Sequence, residues 1–329
     1  MGHIARLSRA LLTTVVSITF ATFSFAGLAA EHPLTLATLP QGAINFVQAQ
    51  VIAKAIQKNS SLQMRVVPYR GNAAEMAAVN AEEVEFSLMD ATDATEAING
   101  DGEFKGRALK NLRVAFTVFP LMVGIMVRAD SDIKSLSDLK GRKFPTGWSN
   151  FKNGGVLANA NLTTVGLSLD DVDPVPATGL IQAADDFIAG RTEGTVFAIG
   201  APKVAEANAA LGGVRFLPIN TSDKAIAAMK SIRSEYFVIT APPLPHFAGV
   251  KKPTPVVGFN MVILAGVNVS EDAIYDVVKA AHASKKDLVA GHPSFNAFNP
   301  KRMAVKYGSL KYHPGAIRFY KEIGIWPGN

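Results

Sequence analysis

The stretch LTLATLPQGAINFVQAQVIAKAIQKNSSLQMRVVPYRGNAAEMAAVNAEEVEFSLMD, residues 34–90, decides the fold class. It opens on a short β-rich run, 34–39. Residues 44–58 follow, with Val47, Val51, Ile52 and Ile56 at the spacing that gathers apolar side chains on one helix face. A second strand is expected over 62–68. Asn72 has a side chain suited to cap a helix over 73–81, and a third strand covers 85–89. Asp90 or Thr92 starts the next helix, which stops at Gly100. Strand and helix alternate too closely for separate blocks, so the segment predicts parallel strands covered by helices, an α/β fold.

The same alternation continues outward. Residues 112–119 and 122–127 read as strands separated by Pro120. A short helix over 135–139, a strand over 143–146 and a helix over 155–165 follow. Residues 168–171 look like a helix start. Next come a helix over 181–189, a strand over 195–199, a helix over 203–211, a strand over 214–219 and a helix over 223–232. Pro242, Pro243, Pro245, Pro253 and Pro255 mark 241–255 as loop or extended connector. A strand over 256–265, one long amphipathic helix over 271–290 and a terminal helix over 313–323 complete the chain. At roughly 150 residues per domain, a chain of 329 residues holds about two. The expected grouping is 31–119 with 252–329 as one lobe and 120–251 as the other. The chain then crosses between lobes near Pro120 and in the proline-rich stretch, which makes a hinge.

Composition removes several classes. Apolar residues are 48% and charged residues 18%, below the ~25% charged of ordinary domains, so the chain is not disordered. Residues 1–30 carry Arg6 and Arg9, no acid between them and the apolar run over 10–26, and small residues beyond it. This predicts a secretory signal peptide cut after Ala26 or Ala30, and a periplasmic product. No later run reaches the ~18 apolar residues of a membrane-spanning helix. With no cysteine, there is no disulfide, thiol nucleophile, thiolate zinc site or lipid anchor. The net charge of +6 is scattered, without the basic stripe that nucleic-acid binding needs. His3, His32, His246, His282, His292 and His313 show no metal spacing. The NGDGE run at 99–103 is too short for an EF-hand calcium loop. No nucleophile elbow, P-loop or dinucleotide fingerprint occurs, so neither metal nor cofactor is expected.

Four segments in order carry a resemblance: VEFSLMDATD (84–93), NGDGEFKGRALKNLRVAFTVFPLMVGIMVRADSDIKSLSDLKG (99–141), GLSLDDV (166–172) and YHPGAIRFYKEIGIW (312–326). Together they resemble the TAXI family of solute receptors that serve TRAP transporters, over essentially the whole chain after the leader. The resemblance implies a two-lobe type II periplasmic binding protein fold, with a hinge and an interlobe ligand cleft. It implies a monomeric receptor, not an enzyme, that captures a small organic anion such as an amino acid, keto acid or dicarboxylate. That anion would be delivered to a TRAP-type membrane permease driven by an ion gradient. A ligand sensor facing a membrane signalling protein is the alternative, and an exported enzyme on the same fold a more remote one.

In such a cleft, helix starts aim unpaired backbone N–H groups and the positive dipole end at the ligand. Five loops supply candidates. The first holds Gly42, Ala43, Asn45 and Phe46, with Asn45 and Phe46 where the family pattern usually has two tyrosines. The second holds Arg70, whose fork suits a carboxylate, and Asn72. The third holds Asp90, where the family usually has glutamine. An acid there repels a carboxylate unless protonated, or favours an amine or hydroxyl; alternatively it only caps the helix. The fourth holds Thr146, Trp148, Ser149, Asn150 and Phe151, in place of the family's glycine-serine-glycine-threonine helix start. It reads as an aromatic wall with hydrogen-bonding neighbours, or as an apolar plug. The fifth holds Gly200, ahead of Pro202 at a helix first turn.

Overall fold

The computed structural model describes residues 32–328, so the expected signal peptide, 1–30, lies outside the described residues. The first strands and helices fall where the periodicity places them. They are β1 (Leu34–Thr38), α1 (Ile44–Lys58), β2 (Met64–Pro68), α2 (Asn72–Asn80), β3 (Phe86–Asp90) and α3 (Ala91–Asn99). A long strand, β4 (Leu112–Arg128), leads to β5 (Lys143–Thr146), α4 (Lys152–Leu162), β6 (Asp173–Pro176), α5 (Leu180–Ile188) and β7 (Gly194–Ala198). Then come α6 (Pro202–Ala210), β8 (Val214–Phe216), α7 (Asp223–Ile232), β9 (Phe237–Ala241) and a second long strand, β10 (Thr254–Gly266). The chain ends with α8 (Glu271–Ala283), α9 (Lys285–Gly291) and α10 (Pro314–Glu322).

Eight strands make one sheet in the order β2-β1-β3-β10-β4-β7, with β8 also on β4 and β9 on β10; β5 and β6 pair separately. The expectation of parallel strands holds for some pairs and fails for others. β1 runs parallel to β2 and β3, but β4 and β10 run antiparallel to each other and to every strand beside them. Two strands that return through the middle of a sheet must oppose their neighbours.

Those two strands are shared by both halves of the molecule. Residues 261–265 of β10 pair with β3, and 112–117 of β4 pair with the other edge of that same stretch. Residues 121–128 of β4 and 254–258 of β10 carry β7, β8 and β9. Pro120 was expected to separate a pair of strands; it lies instead within a single one. It stands opposite Asn260, next to a register shift between Asn260 and Val262. Proline lacks the N–H a regular ladder needs and is tolerated at such a bulge.

Helices cover both halves. α1 packs on β1, β2 and α8, and α2 on β3; in the other half α4 packs on β4 and α5 on β7. Leu36, Phe86 and Phe116 are fully buried in the first half, and Ile125, Phe144 and Phe197 in the second. From Pro33 onward the chain forms one compact unit. The single helix expected over 271–290 is two. Ser284 is buried and donates to the Ala280 carbonyl at 2.6 Å, a bond that competes with the helix ladder and bends it. β9 has no counterpart in the sequence reading.

Candidate functional site

Helix starts from both halves converge on one cavity. From the first half come Asn45 in the first turn of α1, Asn72 opening α2 and Asp90 preceding α3, together with Leu39. From the second come Phe151 and Asn153 at the start of α4, Leu157, Leu180 at the start of α5, and 196–198 of β7. Leu121 and Val123 of β4, with Phe259 and Met261 of β10, form the base. The cavity measures about 40 Å³. One water needs some 10–15 Å³ on the same measure, so the space is nearly shut.

Contacts across the cavity mouth explain the closure. The Lys203 N–H at the start of α6 donates to the Gly42 carbonyl at 3.2 Å. Gly71 meets the 150–151 backbone so closely that a Cβ there would fall 1.9 Å from the Asn150 carbonyl oxygen. A Cβ on Gly42 would lie 3.0 Å from Ile181.

Behind the cavity lies a buried charge cluster that the sequence reading missed. Arg233, at the end of α7, is 7% exposed. It reaches α3, pairing with Asp93 through Nη1 and with Glu96 through Nε and Nη2 at 2.9 and 2.6 Å. Its Nη1 also lies 2.8 Å from Thr92 Oγ1 and 3.1 Å from Asn153 Oδ1. Burial works against the guanidinium charge, but Asp93, Tyr236, Asp90 and Glu96 together hold its pKa above the usual value. Asn72 donates to Asp93 as well. The helix cap expected of Asn72 is supplied instead by the Gly71 backbone position.

Asp90 caps α3 through Oδ1, which accepts the Thr92 N–H at 2.8 Å. Its Oδ2 has no hydrogen-bond partner among the described residues and stands 3.9 Å from Arg233 Nη1. Burial pushes its carboxyl up to about 8, with the Asp93 charge adding and Arg233 opposing. Asp90 is also the sole titratable residue among the described residues lining the cavity.

Of the thirteen candidates, Asn45, Asn72, Asp90 and Phe151 line the cavity. The remaining nine stand elsewhere. Arg70 is exposed and outside the wall, so it clamps nothing there. Trp148 is no member of an aromatic wall: it is 1% exposed, and its indole N–H donates to the Pro145 carbonyl at 3.2 Å. Its ring rests on Gly154, where a Cβ would approach to 2.4 Å. Ser149 and Asn150 are exposed side chains whose backbone N–H groups bond the 177–178 carbonyls. The Thr146 carbonyl accepts the Trp148 and Ala177 N–H groups. Gly42 and Ala43 form the approach to α1, and Phe46 lies half-buried on that helix, off the wall. Gly200, at φ +84°, packs on the Phe247 ring rather than on the cavity. Asn153 follows Phe151 by two residues in the WSNFKNGG run, 148–155, and was legible; the apolar base and Arg233 carry no local signature.

A larger cavity of about 270 Å³ lies between 119–122, 242–247 and 293–297. Its wall is mostly apolar, and it lacks the convergence of helix starts and buried charge that marks the first.

Three solved structures share the architecture. One described as a periplasmic transporter matches at a TM-score of 0.56 with 14% identity, over 90% of this chain and 94% of that one. The alkanesulfonate-binding protein SsuA from Xanthomonas axonopodis pv. citri, bound to MOPS, matches at 0.51 with 15% identity, over 90% and 94%. PhnD1 from Prochlorococcus marinus (MIT 9301), in complex with methylphosphonate, matches at 0.52 with 12% identity, over 89% and 98%. The fold is therefore the two-lobe α/β fold of periplasmic binding proteins, with the shut cavity at the meeting of its halves. A family model matches residues 36–324, and the chain belongs to the NMT1-like family.

Proposed function

We propose that this protein is a periplasmic solute receptor that encloses a small organic molecule between two lobes and delivers it to a membrane permease. The lobes are residues 31–119 with 252–329, and 120–251, hinged where Pro120 faces Asn260. The observation that carries this reading is the convergence of five helix starts, from both halves, on one nearly closed cavity. Among the described residues no helix is long and apolar enough to cross a membrane.

The ordered likeness to TAXI receptors supports a TRAP-type, ion-gradient permease as the partner. Of the expected carboxylates, an amino acid fits the wall better than a plain dicarboxylate. The cation expected at Arg70 points to solvent, and Arg233 is already matched by acids. Asn45, Asn72, Asp90 and Phe151 are the proposed ligand contacts.

Native mass spectrometry of the protein purified from its own host is the test. A co-purifying solute is expected, and adding it back at 100 times Kd stabilises the fold by about 2.7 kcal/mol, visible as a higher Tm. Protein that carries no solute, and whose Tm no metabolite panel moves, rejects the reading.

A further inference from the structure

We propose that the captured solute presents a nitrogen hydrogen-bond donor, an ammonium, amidinium or amino group, to Asp90 Oδ2. The inference rests on the solute-receptor reading above and names the chemistry its ligand needs.

Three observations carry it. Asp90 is 3% exposed, lines the cavity, and has one oxygen fully committed to the Thr92 N–H. Its other oxygen lacks any partner among the described residues, and a buried acceptor left unpaired is costly. Arg233 does not satisfy it: Nη1 stands 3.9 Å away and is engaged by Asp93. A ligand N–H at Oδ2 completes the set.

Local charge points the same way. Asp90, Asp93 and Glu96 surround the single guanidinium of Arg233. With Asp93 and Glu96 already set against one guanidinium, a ligand carboxylate at Oδ2 would add a further acid there, whereas a nitrogen donor offsets the surplus. The rest of the wall is amide and hydrocarbon: Asn45, Asn72 and Asn153 beside leucine, valine and phenylalanine. That lining accepts an apolar body attached to the donor. Burial favours the neutral form of Asp90, so an arriving ammonium displaces the acid's proton to solvent and takes its place facing Oδ2. The rival arrangement is a protonated Asp90 donating to a ligand carboxylate.

Matched probes separate the two: benzamidine against benzoate, butylamine against butyrate, nicotinamide against nicotinate. Each is tested by thermal shift and calorimetry on the full-length mature chain. The nitrogen member of at least one pair is expected to raise Tm while its carboxylate partner does not. Asp90→Asn is expected to weaken that binding at least tenfold. Stabilisation by the carboxylates alone overturns the inference and leaves the receptor reading standing. So does undiminished binding of the nitrogen probe by a folded Asp90→Asn protein. Should that variant misfold, the wild-type preference within pairs decides. Should no probe bind, the solute seen by native mass spectrometry decides: one without an N–H donor overturns the inference, and no solute together with no Tm shift from any metabolite overturns both readings.

Discussion

Arg233 shows how much one side chain can hold. It ties the end of α7 to Asp93 and Glu96 of α3 across the interior. A buried pair need not stabilise relative to an apolar replacement of both partners, but removing one partner strands the other charge at a cost of about 3–5 kcal/mol. Arg233→Met is therefore expected to lower the unfolding free energy by about that amount. Urea denaturation measures it, and a loss below about 1 kcal/mol would show that the acids are satisfied without it. Arg233 was invisible in the sequence because nothing near it differs from a solvated helix end. Its partners lie far away in the chain, on a helix whose own pattern shows only a capped start. Asp90, by contrast, was legible as a cap because the bond it makes is two residues long.

At the scale of elements, the starts of helices were the most readable feature. Pro202 and the Asp90 cap fall where local chemistry puts them. What local chemistry cannot show is which neighbour a turn meets. Gly71 sits between Arg70 and Asn72 with no local signal of its own, yet it is the point where α2 touches the approach to α4. Its φ of 179° is extended backbone open to any residue, so the objection to a side chain is purely steric. Gly71→Ala places a methyl 1.9 Å from the Asn150 oxygen and must hold the halves apart there. The variant is expected to bind the co-purifying solute at least tenfold more weakly, about 1.4 kcal/mol, while still unfolding cooperatively in urea. Calorimetry checks it, and wild-type affinity would mean that the two loops need not meet on binding. Of the two readings of Trp148, its buried ring matches the apolar plug and not the ligand wall. An aromatic residue in a glycine-rich loop suggests a ligand wall, but the glycines are there to seat its ring. β9 does carry a local signal, the strand formers Phe237, Val238, Ile239 and Thr240, masked by the proline-rich connector that follows it.

For the whole molecule, the buried acids set a pH dependence opposite to the familiar acid denaturation. Burial pushes Asp90 up to about 8 and holds Glu75 well above the usual carboxylate range, despite the hydrogen bond from Ser87 to Glu75. The unfolded chain releases these protons near pH 4 or so. Between there and about 8 the folded form keeps protons that the unfolded form has lost. Unfolding then releases protons, so the favourable contribution is complete at the acid end of the window and fades as pH rises through it. Burial lowers the pKa of His282, His292 and His313, which opposes this trend below about 6.5, so the urea midpoint is expected to fall from about pH 6.5 to about pH 8, and to fall less steeply in Asp90→Asn. A variant curve as steep as wild type would remove Asp90 from the account. The division into strands and helices was legible across this scale; the weaving of β4 and β10 through both halves was not, because strand pairing is long-range information. That weaving has a consequence for how the polypeptide matures. β3 has β1 on one edge but finds its other neighbour in residues 261–265 of β10, so the opening third of the chain waits, incomplete, until most of the rest has been synthesised. Contacts of such wide separation form slowly. A nascent chain of this design remains pliable and threadable for longer than one whose early segments complete themselves.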